Sequence, residues 1–123
     1  MFYNLRLVYI TTKDKKEARK IGRKLVEERL AACVNIIDNM ESIYWWDGSV
    51  EEAEECILIA KAAYHNVKPL TEKVKELHSY DCPCVVSFNM SEQEGNEEYM
   101  RWLLKESRSQ QIDYDIDYEV DEM

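Results

Sequence analysis

The sequence predicts an α+β fold with one antiparallel sheet, arranged as the split βαβ sandwich called ferredoxin-like. The chain has 123 residues, which is room for a single domain. Its apolar residues occur either in short continuous runs, typical of buried strands, or at spacings of three and four, typical of amphipathic helices. In chain order these segments predict strand, helix, strand, strand, helix, strand and helix. That is the split βαβ order with one extra C-terminal helix.

The first strand and the first helix are expected within the first 30 residues. Residues 5–10 are an apolar run short enough for a buried strand. Asp14 and Glu17 have capping-box spacing, so a helix is expected to begin there and to end near Leu30. Apolar side chains recur at helical spacing within it, with Lys and Arg between them, which indicates one buried stripe and one solvated face.

A long central hairpin is predicted next. Residues 32–37 and 42–46 favour strand, and Asp38-Asn39 between them indicates a bulge or bend within one strand. Asp47-Gly48 suits the two positive φ values of a type I′ turn. Residues 50–63 are therefore expected to return antiparallel to the preceding strand.

The remaining elements of the domain follow from spacing and capping signals. Apolar residues three, four and three apart within residues 67–77 predict a second amphipathic helix, with Asn66 as its N-cap. Residues 85–88 predict a short buried strand. A third helix around residues 99–104 is expected to be capped by Asn96.

The end of the chain has a pattern of its own. Apolar residues alternate with carboxylates from residue 112 to residue 121, and the segment has no Lys or Arg. A period of two predicts an edge strand laid on its own or a neighbouring subunit, with the acidic face in water. A disordered acidic tail is the competing interpretation. The chain is thus divided into a domain, residues 1–111, and an acidic extension, residues 112–123.

Charge and hydropathy exclude several classes of function. The net charge of -9 argues against DNA or RNA binding, because phosphate contacts need clustered Lys and Arg and no basic stripe is visible. Residues 1–10 lack the continuous apolar region of a signal peptide, and no run approaches the length of a membrane span. A cytoplasmic protein is expected, in which the four cysteines stay free.

Two motifs give the chain a family resemblance. Residues 30–36 read LAACVNI and residues 42–48 read SIYWWDG, which together are similar to the central signature of the CutA family of divalent-cation tolerance proteins. The same register continues through Glu55, Lys61, His78, Tyr80, Pro83, Gly95, Asn96, Tyr99 and Trp102. The resemblance covers about residues 5–106.

The resemblance implies a ferredoxin-like subunit whose long hairpins pack against neighbours in a homotrimer. It also implies a non-enzymatic role in tolerance of copper and other divalent metal ions, with no metal required for folding. Because the trimer resembles that of the PII signalling proteins, a small-ligand sensor or scaffold is the alternative. Ile10 and Leu77 stand where some bacterial members have a cysteine and a histidine proposed to bind copper, and Cys84 stands where the family usually has glutamate.

Four residues are candidate metal ligands: His78, Glu55, Cys82 and Cys84. His78, Cys82 and Cys84 fall within seven residues, and an imidazole with two thiolates is soft enough for Cu(I) or Zn(II). The alternatives remain open: His78 can cap the second helix, the cysteines can be small buried hydrophobes, and Glu55 can lie on a solvated stretch of hairpin.

A second set of residues is assigned to the trimer interface or a cleft: Tyr44, Trp45, Trp46, Lys61, Tyr80 and Trp102. The aromatic cluster beside the turn is either a ligand platform or an anchor in subunit packing, and interfaces are enriched in Trp and Tyr. Glu55 would then pair with Lys61 or His78 of another subunit. No catalytic triad, phosphate loop or two-histidine metal motif is present, and Cys33 is expected to lie in the core, so no enzyme is predicted.

Overall fold

The computed structural model describes residues 3–91 and 94–107. The elements are β1 (Leu5–Thr12), α1 (Lys15–Glu27), β2 (Cys33–Trp46), β3 (Ser49–Ala63), α2 (Val67–Leu77), β4 (Val85–Asn89) and α3 (Glu97–Glu106), with a short 3₁₀ turn at Tyr64–Asn66 before α2. This is the predicted α+β class and order. The predicted strand in the acidic extension lies outside the described residues, as does the boundary at residue 111, so both stay predictions.

The four strands form one antiparallel sheet in the order β2-β3-β1-β4. Helices α1 and α2 cover one face of it. Their core includes fully buried side chains from both layers: Val8, Ile10, Ile21, Leu25, Leu58, Leu70 and Val74. Helix α3 covers one end of the opposite face, where Leu103 and Leu104 pack with Tyr3, Leu5 and Ala63. The site described below lies at the other end of that face.

The central hairpin has the predicted turn and bulge. Asp47 and Gly48 have φ values of 49° and 83°, as a type I′ turn requires. The register shifts between Ile37, which pairs with Ile57, and Met40, which pairs with Glu55. Two residues of β2 therefore oppose one residue of β3, which is a β-bulge.

The hairpin extends beyond the rest of the sheet. Strand β1 pairs with β3 only from Cys56 to Ala63. Residues 40–46 and 49–55 therefore form a two-stranded ribbon that no further strand of the described chain joins. We call it the projecting ribbon. A two-stranded ribbon is marginally stable alone in water, so additional packing is expected.

Two of the three predicted helix caps are confirmed. Asp14 accepts a hydrogen bond from the backbone N–H of Glu17 at 2.8 Å. Asn96 accepts hydrogen bonds from the N–H groups of Glu98 and Tyr99. In both helices the side-chain oxygen satisfies donors that the first turn leaves without an intrahelical partner.

Asn66, the third predicted cap, makes no capping hydrogen bond. Its backbone is already helical, with φ -90° and ψ -9°, so its side chain does not point back at the first turn of α2. The buried amide instead donates to the carbonyl groups of Arg29 and Ser107. Asn66 therefore holds the predicted N-cap position of α2, but its side chain joins the ends of α1 and α3 instead of capping the helix.

Helix α1 ends at Glu27, three residues before the predicted end near Leu30. Arg29 adopts the left-handed conformation with φ 58°. The N–H groups of Arg29 and Leu30 then bond to the carbonyls of Val26 and Leu25, at 3.0 and 2.9 Å. This is a Schellman closure made without glycine, so the usual stop signal is missing from the sequence.

Helix α1 also corrects the prediction that the chain has no basic stripe. Its outer face exposes six cations: Lys15, Lys16, Arg19, Lys20, Arg23 and Lys24. Arg23 and Lys24 form ion pairs with Glu27 and Glu28 one turn further on. The net charge of -9 does not reveal this stripe, because acidic residues elsewhere in the chain outweigh it.

Two further expectations can be compared with the described residues. All four cysteines are free, as predicted. Within residues 3–91 and 94–107, no helix is long and apolar enough to cross a membrane.

Candidate functional site

A pocket of about 420 Å³ opens where β1, the projecting ribbon and the loop between α2 and β4 meet. Its lining residues are Thr11, Tyr44, Trp46, Glu55, Tyr80, Asp81, Cys82 and Cys84. Three of the four candidate metal ligands and three of the predicted cleft aromatics are among them. The structure therefore brings together residues that are far apart in the chain.

The bulge in β2 decides which aromatic side chains reach this pocket. Before the bulge, odd-numbered residues of β2 pair with odd-numbered residues of β3; after it, even-numbered residues do. Because side chains alternate between the faces of a strand, the shift places Tyr44 and Trp46 on the same face as Glu55. Trp45 and Glu54 lie on the opposite face of the ribbon.

Tyr80 and Glu55 are joined across the pocket. The Tyr80 hydroxyl donates a hydrogen bond to Glu55 Oε2 at 2.9 Å. Burial raises the pKa of Tyr80, and the hydrogen bond and negative charge of Glu55 raise it further, because both oppose the phenolate. Within the subunit, Glu55 is thus bonded to Tyr80, and its pairing with Lys61 or His78 of another subunit stays a prediction.

His78 lies beneath the pocket wall rather than in it. Its side chain is 0% exposed. Nε2 lies 2.8 Å from the Thr11 carbonyl oxygen, and Nδ1 accepts from the Tyr80 N–H at 3.0 Å. This pattern fits the neutral tautomer with the proton on Nε2. Both ring nitrogens are engaged, so binding a metal through His78 would require breaking one of these bonds.

Glu17 supports the same loop, a role that the capping pattern did not predict. Its carboxylate is nearly buried and accepts from the N–H groups of Lys13 at 3.0 Å and Ser79 at 2.8 Å. Burial alone would raise the pKa of Glu17, but these hydrogen bonds lower it overall. The position of Glu17 in the sequence could have indicated that it is buried. It precedes Ile21 by four residues, so it falls on the buried stripe of α1.

The two cysteines of the pocket differ in environment. Cys82 is exposed and Cys84 is half-buried. Burial raises the pKa of the Cys84 thiol, and a hydrogen bond with Thr11 partly opposes that shift. In residues 3–91 and 94–107, no group of three or more His, Cys, Asp or Glu side chains has an arrangement that could hold a metal ion. The four-residue metal site therefore stays a prediction.

Lys61 and Trp102 lie in a second cluster, away from the pocket. Lys61 Nζ donates to the Tyr99 hydroxyl at 3.1 Å and lies 5.3 Å from the centre of its ring. The rings of Tyr99 and Trp102 stack with centroids 5.6 Å apart. The residues assigned to the interface or cleft are thus divided between three places: the pocket, this second cluster, and the opposite face of the ribbon, where Trp45 lies.

Comparison with known proteins identifies the family. The profile described as CutA1 divalent ion tolerance protein matches residues 6–106. The divalent-cation tolerance protein CutA of Thermus thermophilus is 46% identical over 97 residues, which are 79% of this chain and 92% of that protein. Protein CutA, chloroplastic, of Arabidopsis thaliana is 37% identical over 103 residues, or 84% of this chain and 56% of that protein.

Solved structures agree with the sequence matches. The crystal structure of CutA1 from Oryza sativa has a TM-score of 0.81 at 38% identity and covers 85% of this chain and 94% of that chain. The structure from Thermus thermophilus has a TM-score of 0.77 at 45% identity, covering 80% and 94%. The chain belongs to the CutA family of divalent-ion tolerance proteins.

Proposed function

We propose that this protein is a non-enzymatic homotrimer that responds to divalent metal ions, copper among them. The main support for a trimer is an apolar sheet face that the described chain leaves uncovered. The metal role rests on the names of its relatives, which are divalent-cation tolerance proteins, and on the thiol and carboxylate donors that line one pocket.

The uncovered face lies opposite α1 and α2. Ile37, Val86 and Phe88 are 50%, 46% and 52% exposed there. Ile37 pairs directly with Ile57, and Phe88 with Leu7, so apolar side chains lie side by side on neighbouring strands of this face. Monomeric proteins rarely expose contiguous apolar patches of this kind.

The projecting ribbon supports the same conclusion. Trp45 and Trp46 are 75% and 66% exposed at its tip. The outer edge of the sheet is β2, a strand of 14 residues that no described strand covers on its far side. Long free edges favour pairing with another chain, and a closed trimer would cover both edge and face without open-ended growth.

Sedimentation equilibrium tests the trimer. Phe88→Asp and Ile37→Asp should shift the wild-type trimer towards monomer, because they place a charge on the face that subunits would bury. Val26→Asp is the matched control, since Val26 is exposed on the outer side of α1. A wild-type monomer at micromolar concentration with native circular dichroism would contradict the proposal.

The metal part of the proposal assigns binding to the two thiols Cys82 and Cys84, which both line the pocket. Thiolates prefer soft ions, so Cu(I) should bind more tightly than Cu(II) or Zn(II). Because the Cys84 thiol must lose a proton and its pKa is raised, affinity should increase with pH.

Calorimetric titration of the tag-free protein with Cu(I), Cu(II) and Zn(II) tests this assignment. Replacing Cys82 and Cys84 together by Ser should weaken Cu(I) binding by tenfold or more, whereas Cys33→Ser, at a half-buried cysteine outside the pocket, should not. An unchanged Cu(I) affinity in the double variant would show that the metal binds elsewhere.

A second candidate function is the sensing of a small ligand. The pocket volume of about 420 Å³ falls within the usual range of small-molecule sites. A thermal-shift panel of metabolites tests it, and a panel without any stabilising compound would argue against a sensor.

We also place the protein in the cytoplasm, supported by its four free cysteines; cell fractionation checks this.

A further inference from the structure

The stability of helix α1 does not explain its basic stripe. The six cations are exposed and lie three or four residues apart, a spacing at which like charges destabilise a helix. Lys15 and Lys16 lie in the first turn, where the helix dipole disfavours positive charge. Arg23 and Lys24 have ion-pair partners, but the other four cations pair with no acidic residue among 3–91 and 94–107. An anionic occupant would relieve this repulsion.

The stripe lies away from the surface that the proposed trimer would bury. Helix α1 packs through Ala18, Ile21 and Leu25 on one face of the sheet. The uncovered apolar face is the opposite one, and the cations occupy the side of α1 that points away from the sheet. Burial of the apolar face between subunits would therefore not cover the stripe.

The described chain ends beside α1. Arg29, just after the end of α1, forms an ion pair with Glu106 at 2.9 Å between Nη1 and Oε1. The Asn66 amide joins the carbonyl groups of Arg29 and Ser107. Residues 108–112 can span about 17 Å when extended, and α1 rises about 16 Å from Lys16 to Glu27. The acidic extension therefore begins within reach of the whole stripe.

The composition of the extension matches the stripe in charge and in spacing. Residues 113–123 carry six carboxylates and no Lys or Arg, and every second residue from Asp113 to Asp121 is acidic. Alternate side chains of an extended chain recur about every 6.6 Å. Side chains four apart on a helix, such as Lys16 and Lys20, recur about every 6 Å. An extended acidic segment could therefore place successive carboxylates against successive cations.

From these features we propose that the acidic extension, residues 112–123, docks on the basic stripe of α1 in the same subunit. Attachment through α3 gives the extension an effective concentration in the millimolar range, so individually weak ion pairs suffice. The predicted alternation is kept, but its carboxylate side faces α1 rather than water. The extension acts as an internal competitor, because an anionic partner must displace it to reach the stripe. The inference rests on neither the metal site nor the ligand sensor.

Carbodiimide cross-linking of the full chain tests the contact, because it joins a carboxylate to a lysine only where the two groups meet. Peptides are taken from the monomer band of a denaturing gel, so each cross-link joins residues of one subunit. Residues 113–122 should cross-link to Lys16 and Lys20. The yield should fall at least about fivefold in 1 M NaCl, where the Debye length is about 3 Å.

Lys68 is the internal control for this experiment. It is exposed on α2, two residues after Asn66, whose amide bonds the Ser107 carbonyl. An extension without a preferred surface would meet Lys68 at least as often as the more distant Lys16. Docking on α1 should instead make cross-links to Lys16 and Lys20 at least about fivefold more frequent than those to Lys68, because only the stripe offers several cations together.

Charge-matched variants give a second, independent measurement. Lys16→Gln with Lys20→Gln should move the backbone amide NMR signals of residues 113–121 towards their positions in 1 M NaCl. Lys68→Gln with Lys75→Gln removes the same charge from exposed positions of α2 and should leave those signals unmoved. Circular dichroism and sedimentation confirm that fold and assembly are intact in both variants.

Three results would overturn the inference. They are cross-links to Lys68 as frequent as those to Lys16 and Lys20, cross-links to α1 found only in bands larger than the monomer, and amide signals of residues 113–121 that respond equally to both pairs of substitutions. The second result would place the extension on a neighbouring subunit. The first and third would leave it without a preferred surface.

Discussion

The Tyr80 hydroxyl hydrogen-bonds to Glu55 Oε2 at 2.9 Å and thereby joins the loop after α2 to the projecting ribbon. Two residues 25 positions apart close one side of the pocket. The contact links three properties of the site: its shape, its negative charge and the protonation state of the phenol.

We expect Glu55→Gln to lower the pKa of Tyr80 from its raised value without restoring the ordinary value of 10.0. Removing the carboxylate relieves its repulsion of the phenolate, but burial, the larger cause, remains. Titration of carbon-13-labelled tyrosine Cζ by NMR measures this. Glu54→Gln should leave the Tyr80 titration unchanged, and an unchanged titration in Glu55→Gln would show that burial alone sets the pKa.

Glu17→Gln should destabilise the protein by about 1–3 kcal/mol near neutral pH, because an amide cannot accept both of the N–H bonds that the carboxylate accepts. The folded pKa of Glu17 is lowered from the ordinary 4.5. Its contribution to the free energy of unfolding is therefore complete above the unfolded pKa and is lost as pH falls through the folded pKa.

Urea denaturation at fixed protein concentration measures the difference between wild type and Glu17→Gln as a function of pH. The difference should shrink as the pH falls below 4.5. Glu27→Gln is the control on the same helix, where the side chain is exposed and pairs with Arg23; it should cost about 0.5 kcal/mol or less. A difference independent of pH would mean that the Glu17 carboxylate is not the stabilising form.

His78→Ala should cost about 2–4 kcal/mol of stability, because it leaves the Thr11 carbonyl and the Tyr80 N–H without their partner and opens a cavity. The chain has one other histidine, His65, which is half-buried and touches the edge of the Tyr64 ring. His65→Ala should cost about 1 kcal/mol or less. Similar losses in the two variants, measured by chemical denaturation, would contradict the structural role of His78.

Gly48→Ala should destabilise the hairpin by about 1–2 kcal/mol, since an L-residue with a side chain is strained in the left-handed conformation. The expected cost comes from backbone strain at a φ of +83°. No steric clash adds to it, because nothing lies within 4 Å of an added Cβ. Amide exchange in residues 40–55 should accelerate more than in β1. Ser49→Ala beside it serves as the control, and equal exchange in both variants would exclude strain at the turn.

Elements whose signals are local could be predicted from sequence. Asp47-Gly48 specifies its own turn, and the caps Asp14 and Asn96 bond to backbone groups within three residues. The N-cap position of Asn66 was predicted, but its side-chain bonds were not, because its partners, Arg29 and Ser107, are 37 and 41 residues away. A capping residue type indicates local hydrogen-bonding capacity, but not which of several backbone groups is closer in the folded chain.

The sequence by itself determined the elements, the hairpin with its bulge, and the family, because helix spacing, strand alternation and turn chemistry act over a few neighbouring residues. The tertiary structure alone decided the roles of the site residues. His78 was a candidate metal ligand because of its residue type. Its contact with Thr11, 67 positions away, holds it beneath the pocket wall. Glu55 became the partner of Tyr80 because β3 presents it on the sheet face that meets the loop after α2, and the bulge in β2 brings Tyr44 and Trp46 to the same face. A side chain's chemistry depends on the groups that packing brings within a few ångströms, and those groups come from distant parts of the chain.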